Sequence, residues 1–442
     1  MSVRVIGPVL LTAALIGLGC AAATAQPDNS TVTSTPFTSP NTDACPFQRA
    51  PAPAIDLSEV PAPGNPTPTP LAVPADPVGG DELGGCGVVT PDGAPPVPAD
   101  ISATSWVVSD LDTGQVLAAK DPHGRYRPAS TIKILLSLVA LRELDLNKTV
   151  TGTIEDSEVE GTRVGIGPGG QYTNRQLMHA LVMASGNDAA HAVATQLGGD
   201  AATVAKMNDL AKSLGARDTR AATPAGLDGP GMSSSAYDLA LLFREAMRIP
   251  TFAELVHTEQ AEFPGYPADP RIPDDKDHPP FAIANDNQLL YNYDGALGGK
   301  TGFTDDARHT FVAGAERDGR RLSVTLMAAD VRPIRPWEQG AHLLDYGFGL
   351  DRDATIGTLS VVGERRTDGG AGRTDDGGPT KTDSWPNGSA ATLAAPPITA
   401  PEEAASDTAA DTDAVRLAVL FGGSLLVLVL VVVAAALSRK RR

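Results

Sequence analysis

The sequence predicts an α/β protein of the α+β type, in which a helical subdomain is inserted into an antiparallel sheet. Two short apolar runs, 106–110 and 115–119, flank a turn-rich link and are typical of a β-hairpin. A second hairpin is predicted over 310–315 and 321–327, joined through Asp318-Gly319. The stretch between the hairpins has helical periodicity. This order of elements predicts a sheet whose first and last strands meet, flanked by helices.

The helical stretches have recognisable ends. Thr173 to Gln176 forms a capping box, and Gly215, Gly347 and Pro250 stand where helices are predicted to stop. The predicted helices are one that follows Ser130, one that follows Thr173, and those near 188–197, 201–214, 235–248 and 336–346.

Both ends of the chain predict export followed by retention at a membrane. Residues 1–25 carry one cation, a short apolar run and small residues before a cleavage point, which is typical of a signal peptide. Residues 415–437 have the length and apolar character of a transmembrane helix, and the cations of 438–442 favour a cytoplasmic tail. We therefore expect a single-pass protein of the cell membrane whose main domain is extracytoplasmic.

Composition divides the rest of the chain into one domain and two flanking segments. Residues 26–96 are crowded with proline, and residues 351–414 are rich in Gly, Asp, Thr, Ala and Pro. Both segments are predicted to be tethers, because neither holds enough large apolar residues for a core. Residues 97–350 have the length of a single domain with one continuous core.

Charge and cysteine content limit the partners and cofactors of the chain. A formal net charge of −18, with no basic stripe outside the tail, argues against a nucleic-acid partner. Cys45 and Cys86 are the only cysteines after the signal peptide, and we expect them to pair in an oxidising compartment; the alternative is two free thiols. No metal site is predicted, because two cysteines without a nearby histidine pair are too few ligands.

Ser130 and Lys133 have the spacing of an activated nucleophile and its base. They lie three residues apart at the start of a predicted helix, so both side chains project from one face. A lysine of lowered pKa can take the serine proton, and N–H groups at the helix start can stabilise the oxyanion that follows attack. The alternative is a serine cap beside a surface lysine.

Ser185 and Asn187 lie at a break between two predicted helices, where side chains can point into a cleft. Ser185 can relay a proton to a leaving amine, and Asn187 can hold a substrate amide and contact the lysine. A loop of turn-forming residues is the alternative. The same pattern occurs in Ser39-Pro40-Asn41, so the triplet is weak evidence by itself.

The run Lys300-Thr301-Gly302 lies in a glycine-rich stretch before a predicted strand. A strand edge can bind a peptide-like ligand through its backbone, while Lys300 and Thr301 hold a terminal carboxylate and Gly302 leaves room for the ligand. The N–H of Phe303 is the predicted second oxyanion donor, beside the N–H of Ser130.

Together, the three motifs form the signature of class A β-lactamases and penicillin-binding proteins. The segments that contain them, with Gly226-Leu227-Asp228, resemble the D-alanyl-D-alanine carboxypeptidases of serine peptidase family S11, and the chain layout resembles their membrane-anchored actinobacterial members. The resemblance implies the transpeptidase-like fold of serine β-lactamases and penicillin-binding proteins. It also implies release of the terminal D-Ala of a peptidoglycan stem pentapeptide through an acyl-enzyme on Ser130, inhibition by β-lactam antibiotics, and no cofactor.

Two other functions fit the same motifs. A β-lactamase shares them but needs a base for deacylation, and no glutamate lies between Asp188 and Arg244. A catalytically silent wall-binding protein would keep the fold without needing these polar groups.

The chain departs from the family pattern in two places. Arg308-His309 replaces the usual Ala-Gly, and these side chains either narrow the choice of substrate or point to solvent. Residues 351–414 are too polar for the β-rich second domain of many relatives.

Overall fold

A computed structural model describes residues 37–360, in which the largest feature is a seven-stranded antiparallel sheet. The strands, in chain order, are β1 (Val88–Val89), β2 (Ser105–Asp110), β3 (Gln115–Lys120), β4 (Thr149–Thr151), β5 (Gln171–Thr173), β6 (Gln260–Phe263), β7 (Phe281–Ala284), β8 (Ala296–Thr304), β9 (Arg308–Arg317), β10 (Arg320–Ala329) and β11 (Gly357–Thr358). The α-helices are α1 (Lys133–Glu143), α2 (Ile154–Ser157), α3 (Asn174–Met183), α4 (Asn187–Gln196), α5 (Asp200–Leu214), α6 (Ala236–Met247), α7 (Pro250–His257), α8 (Leu289–Asn292) and α9 (Pro336–Phe348).

The sheet joins the beginning and the end of the domain. Its order is β1-β3-β2-β10-β9-β8, with β11 also paired to β3, and all its pairings are antiparallel. β2 pairs with β10 from Ser105–Met327 to Asp110–Leu322, so the two predicted hairpins meet as the sequence indicates. β8 is the last strand of this order, and its outer edge has no partner strand within the described part of the chain.

Alternating side chains give the sheet two apolar faces. Trp106 and Val108 belong to the cluster that packs against α9, whereas Val107 between them belongs to the cluster of the helical block. Because both faces are covered, β2 is buried along its whole length. The helical block, from α1 to α7, lies between β3 and β8 in sequence, and α1 packs against α3, α5 and α6 within it.

Most predicted helices form close to their expected bounds. The capping box of Thr173 opens α3, and Ser235 caps α6 by accepting a hydrogen bond from Asp238 N–H. Gly215 ends α5 with φ 92°, a left-handed conformation that suits glycine. The helix predicted near 235–248 ends before Pro250 as expected, at Met247, and Pro250 also begins α7, because the first turn of a helix does not need the missing N–H.

The proline-rich segment 37–96, which we call the N-terminal strap, is folded onto the domain, so the prediction of a tether is wrong for these residues. Leu83 is buried in the main core, and β1 pairs with β3. Proline lacks a backbone donor, so backbone bonds alone do not satisfy the strap, and several of its carbonyls accept hydrogen bonds from side chains. The Arg125 guanidinium alone donates to the carbonyls of Arg49, Leu71 and Ala72.

The predicted domain end at residue 350 is also too early. β11 pairs with β3, and Ile356 and Leu359 beside it are buried in the core. The sequence signal was weak because these apolar residues are separated by Gly357 and Thr358.

Several predictions fall on residues that the structure does not describe. They are the signal peptide at 1–25, the linker from 361 to 414, the transmembrane helix at 415–437 and the tail at 438–442. Within residues 37–360, no helix has the length and apolar character needed to cross a membrane.

Candidate active site

Ser130 lies on a single 3-10 turn, Ala129–Ile132, that leads directly into α1. Ala129 is buried and has φ 46°, a left-handed conformation that costs a non-glycine residue on the order of 1 kcal/mol or more. Such a conformation persists only where neighbours hold it. Here Thr310 on β9 donates its hydroxyl to the carbonyl of Pro128, at 2.7 Å.

Lys133, in the first turn of α1, is fully buried and makes three hydrogen bonds. Its Nζ lies 2.8 Å from Ser130 Oγ, 2.7 Å from Asn187 Oδ1 and 2.6 Å from the carbonyl oxygen of Ala225. Burial holds the pKa of Lys133 well below its ordinary value, and the nearby Lys300 lowers it further. The site therefore favours the neutral amine.

These partners determine what a neutral Lys133 can do. Asn187 Oδ1 and the Ala225 carbonyl can only accept hydrogen bonds, so they engage two N–H groups of the amine. The remaining lone pair then faces Ser130, which is the one partner with a hydroxyl proton to give. The geometry is that of a general base beside a nucleophile.

Ser185 and Asn187 occupy the junction of α3 and α4, as the sequence predicted. Ser185 has φ 58° and is 7% exposed, and Asn187 begins α4. Asn187 Nδ2 donates to the carbonyl of Glu160 at 2.8 Å, which fixes its amide so that Oδ1 faces Lys133. The expected contact between Asn187 and the lysine is present.

Asp188, the next residue, binds the backbone of the segment that packs against this junction. Its buried carboxylate accepts hydrogen bonds from the N–H groups of Val164, Gly165 and Ile166, at 2.8 to 3.1 Å. The backbone of these residues is thereby fixed against the start of α4. Sequence reasoning did not assign this role to Asp188.

The Lys300-Thr301-Gly302 run lies inside β8 itself, at the edge of the sheet. Its three glycines hid this strand from the sequence pattern. Lys300 is 1% exposed, and its Nζ donates to the carbonyl of Thr301 at 2.8 Å. Burial lowers the pKa of Lys300 to about 8, against the opposing charge of Asp286. Thr301 is half-buried and so is the more accessible of the two predicted carboxylate ligands.

Gly302 lies directly against the turn that carries Ser130. A Cβ atom added at Gly302 would lie 2.9 Å from the backbone nitrogen of Ser130, 3.0 Å from that of Thr131 and 2.4 Å from Thr310 Oγ1. The absence of a side chain is thus what lets β8 approach the nucleophile.

Phe303 lies near the end of β8, and Arg308 and His309, which depart from the family pattern, lie at the start of β9. Phe303 is 56% exposed, and its ring centroid lies 4.7 Å from that of His309. Arg308 donates from Nε to the Asp330 carboxylate at 2.9 Å. Arg308 is therefore held by Asp330, whereas His309 packs beside Phe303, and both are half-buried.

Comparison with known proteins identifies the family. The family model described as D-alanyl-D-alanine carboxypeptidase, Peptidase S11, matches residues 92–331, which is more than half of the chain. The chain belongs to peptidase family S11. The match includes every predicted catalytic and substrate-binding residue from Ser130 to Phe303.

Individual S11 peptidases and their structures agree with this assignment. The D-alanyl-D-alanine carboxypeptidase DacB2 of Mycobacterium tuberculosis is 48% identical over 275 residues, covering 61% of this chain and 90% of DacB2. DacF of Bacillus subtilis is 32% identical over 56% of this chain and 62% of its own length. The crystal structure of a D-alanyl-D-alanine carboxypeptidase from M. tuberculosis H37Rv superposes with a TM-score of 0.56 at 47% identity, covering 61% of this chain and 99% of that one.

Lys133 and Asn187 each make a hydrogen bond to a backbone carbonyl that the sequence motifs do not predict. The carbonyl of Ala225 binds Lys133, and the carbonyl of Glu160 binds Asn187. Backbone carbonyls have no sequence signature, so these partners could not be found from the chain. The structure also joins Cys45 to Cys86 by a disulfide, with Cα atoms 5.3 Å apart.

Proposed function

We propose that the protein is a serine-type D-alanyl-D-alanine carboxypeptidase that removes the terminal D-Ala from peptidoglycan stem pentapeptides. The observation that carries the proposal is the buried Lys133 amine, 2.8 Å from Ser130 Oγ, with its other two hydrogen bonds made to acceptors. Membership of family S11 supports the reaction, and the edge of β8, unpaired within residues 37–360, supports an extended peptide as the ligand.

In the acylation step, neutral Lys133 takes the proton of Ser130, and Oγ attacks the carbonyl carbon of the penultimate D-Ala. The oxyanion that forms is stabilised by backbone N–H groups, for which those of Ser130 and Phe303 are the candidates. Cleavage of the C–N bond releases D-Ala as its amine accepts a proton, and the acyl group remains on Ser130. Ser185 is the candidate relay for that proton.

In the second step, water attacks the acyl carbonyl and regenerates Ser130. Lys133, neutral again after protonating the leaving amine through Ser185, is the candidate base for this water. A β-lactam forms the same ester on Ser130, but its opened ring keeps the leaving amine attached. We therefore expect slow hydrolysis of the penicilloyl-enzyme.

The direct test is release of D-Ala from a synthetic stem pentapeptide, quantified by mass spectrometry. Wild-type protein is expected to yield the tetrapeptide and free D-Ala. Ser130→Ala should abolish the reaction, while the matched variant Ser213→Ala, at an exposed serine on α5, should not affect it. Equal rates for wild type and Ser130→Ala would refute the assignment of the nucleophile.

Two other outcomes would point to the alternative functions. Rapid turnover of a chromogenic cephalosporin, without D-Ala release, would favour a β-lactamase. Absence of both D-Ala release and penicillin labelling from folded protein would favour a silent wall-binding protein.

We further propose that the catalytic domain is held outside the cell membrane by a single C-terminal helix at 415–437, after cleavage of a signal peptide at 1–25. The Cys45–Cys86 disulfide supports an oxidising compartment. Full-length protein should remain in membranes after alkaline washing, whereas a variant that ends before residue 415 should be released in soluble form. Retention of the shortened variant would contradict this topology.

A further inference from the structure

Arg127, three residues before Ser130, is paired with Glu59, and its charge also acts on the carboxylates of Asp306 and Asp228. Its side chain is 2% exposed. Nε donates to Glu59 at 2.5 Å, and Nη1 lies 3.9 Å from the Asp306 carboxylate. The charge of Arg127 also acts on the carboxyl group of Asp228, whose pKa is nevertheless raised by burial.

The three carboxylates belong to three different segments, and two of these segments form the active site. Asp228 follows Ala225, the carbonyl partner of Lys133, and Gly226. A Cβ atom at Gly226 would lie 2.1 Å from the carbonyl oxygen of Ala129, so this loop touches the Ser130 turn. Asp306 follows the end of β8. Arg127 therefore joins the serine turn to the segments on both sides of it.

Glu59 is the carboxylate that the N-terminal strap supplies to Arg127, and other contacts tie this part of the strap to the domain. The N–H of Ile55, four residues earlier, donates to the Asp306 carboxylate at 2.9 Å. The Cys45–Cys86 disulfide closes the part of the strap that contains Glu59. The segment that carries Glu59 is thus tied to the domain at Asp306 and at Arg127.

The balance of charge around Arg127 gives Glu59 a specific effect. With Glu59 present, the guanidinium is bonded through Nε on the strap side and lies beyond hydrogen-bond length from Asp306. If Glu59 loses its charge, the strap keeps only the weak attraction of the exposed Asp56, and the carboxylates of Asp306 and Asp228 draw the guanidinium toward β8. The backbone of 127–130 includes the strained Ala129, so a displaced Arg127 moves Ser130 relative to Lys133.

We propose that Glu59 of the strap is a positioning residue for the acyl-transfer reaction, which it supports by fixing Arg127 and, through it, the turn that carries Ser130. The inference rests on the proposed function, because it assigns Glu59 to the same nucleophile. On this account, the N-terminal strap contributes to catalysis as well as to the packing of the domain.

The test compares Glu59→Gln with Glu82→Gln, which makes the same chemical change at an exposed position of the strap. The readout is the second-order rate constant for acylation by benzylpenicillin, measured on protein whose folded fraction has been determined. We expect Glu59→Gln to lower it about 10-fold or more, since a misplacement of about 1 Å can cost on the order of 100-fold. Glu82→Gln should match wild type.

A double-mutant cycle separates positioning from general stability. Arg127→Lys keeps the charge but loses the planar fork, so Glu59→Gln should add little further loss in that background. For the pentapeptide, the loss should appear in kcat with KM little changed. Independent, multiplying losses, or acylation of Glu59→Gln at the wild-type rate, would overturn the inference.

If Arg127→Lys does not fold, Glu59→Asp decides the matter, because it restores the charge and should recover part of the acylation rate. No recovery would count against the proposal. Failure of the proposed function is distinguishable, because wild-type protein itself would then release no D-Ala from the pentapeptide, whatever its rate of acylation by benzylpenicillin.

Discussion

Replacing Gly302 with alanine tests how closely β8 must approach the nucleophile. The added Cβ would lie 2.9 Å from Ser130 N and 3.0 Å from Thr131 N. Because an ordinary contact is about 3.5 Å, the strand or the serine turn must shift by roughly 0.5 Å. Thr310 Oγ1 would also have to move, which weakens its hydrogen bond to the carbonyl of Pro128, and the two backbone nitrogens have no rotation that avoids the contact.

A shift of this size should lower the catalytic rate in protein that still folds. With on the order of 100-fold lost per 1 Å, we expect Gly302→Ala to lower kcat/KM for the pentapeptide about 10-fold, or about 1.4 kcal/mol of activation free energy. The control is Gly349→Ala, where the new Cβ would meet nothing closer than 3.3 Å. The assay is D-Ala release together with penicillin acylation. If Gly302→Ala retains wild-type rates in both, the close approach of β8 has no catalytic importance.

Three further predictions follow from the same contacts. Activity should fall above about pH 8, where Lys300 loses its proton, and should fall in acid as Lys133 gains one. Lys300→Gln should move the acid limb of the kcat/KM profile to higher pH, because the loss of a positive neighbour raises the pKa of Lys133. An acid limb that does not move would contradict this coupling between the two lysines. Asp188→Asn should lower the free energy of unfolding by about 2 kcal/mol, since an amide has one acceptor oxygen and cannot accept hydrogen bonds from all three N–H groups that the carboxylate binds. An unchanged midpoint of urea denaturation would count against this. Replacing both Cys45 and Cys86 with serine should lower the free energy of unfolding by about 4 kcal/mol, because the disulfide joins residues 41 apart in sequence. Urea denaturation against wild type measures this, and equal stability would exclude a stabilising disulfide.

The sequence was most informative where a pattern has a local physical cause. The capping box at Thr173 and the left-handed end at Gly215 depend on a few neighbouring residues, and both predicted helices form. The pairing of β2 with β10 followed from the order of elements. The helix spacing of Ser130 and Lys133 likewise placed the two groups on one face, and they lie 2.8 Å apart.

The sequence failed where structure depends on long-range partners. The strap was predicted to be a tether because proline favours irregular backbone, yet three of its carbonyls accept hydrogen bonds from Arg125, which lies far along the chain. In the same way, nothing local to Glu59 indicates that it binds Arg127. The burial of Lys300 was also unpredictable, since a charged residue in a glycine-rich run is usually exposed.

The most direct test of the account is peptide mapping of the protein after reaction with benzylpenicillin. We predict a single penicilloyl adduct on the peptide that contains Ser130, formed by wild type and by Ser213→Ala and absent from Ser130→Ala. An adduct on any other residue, or folded wild-type protein that remains unmodified, would contradict the assignment of Ser130 as the nucleophile.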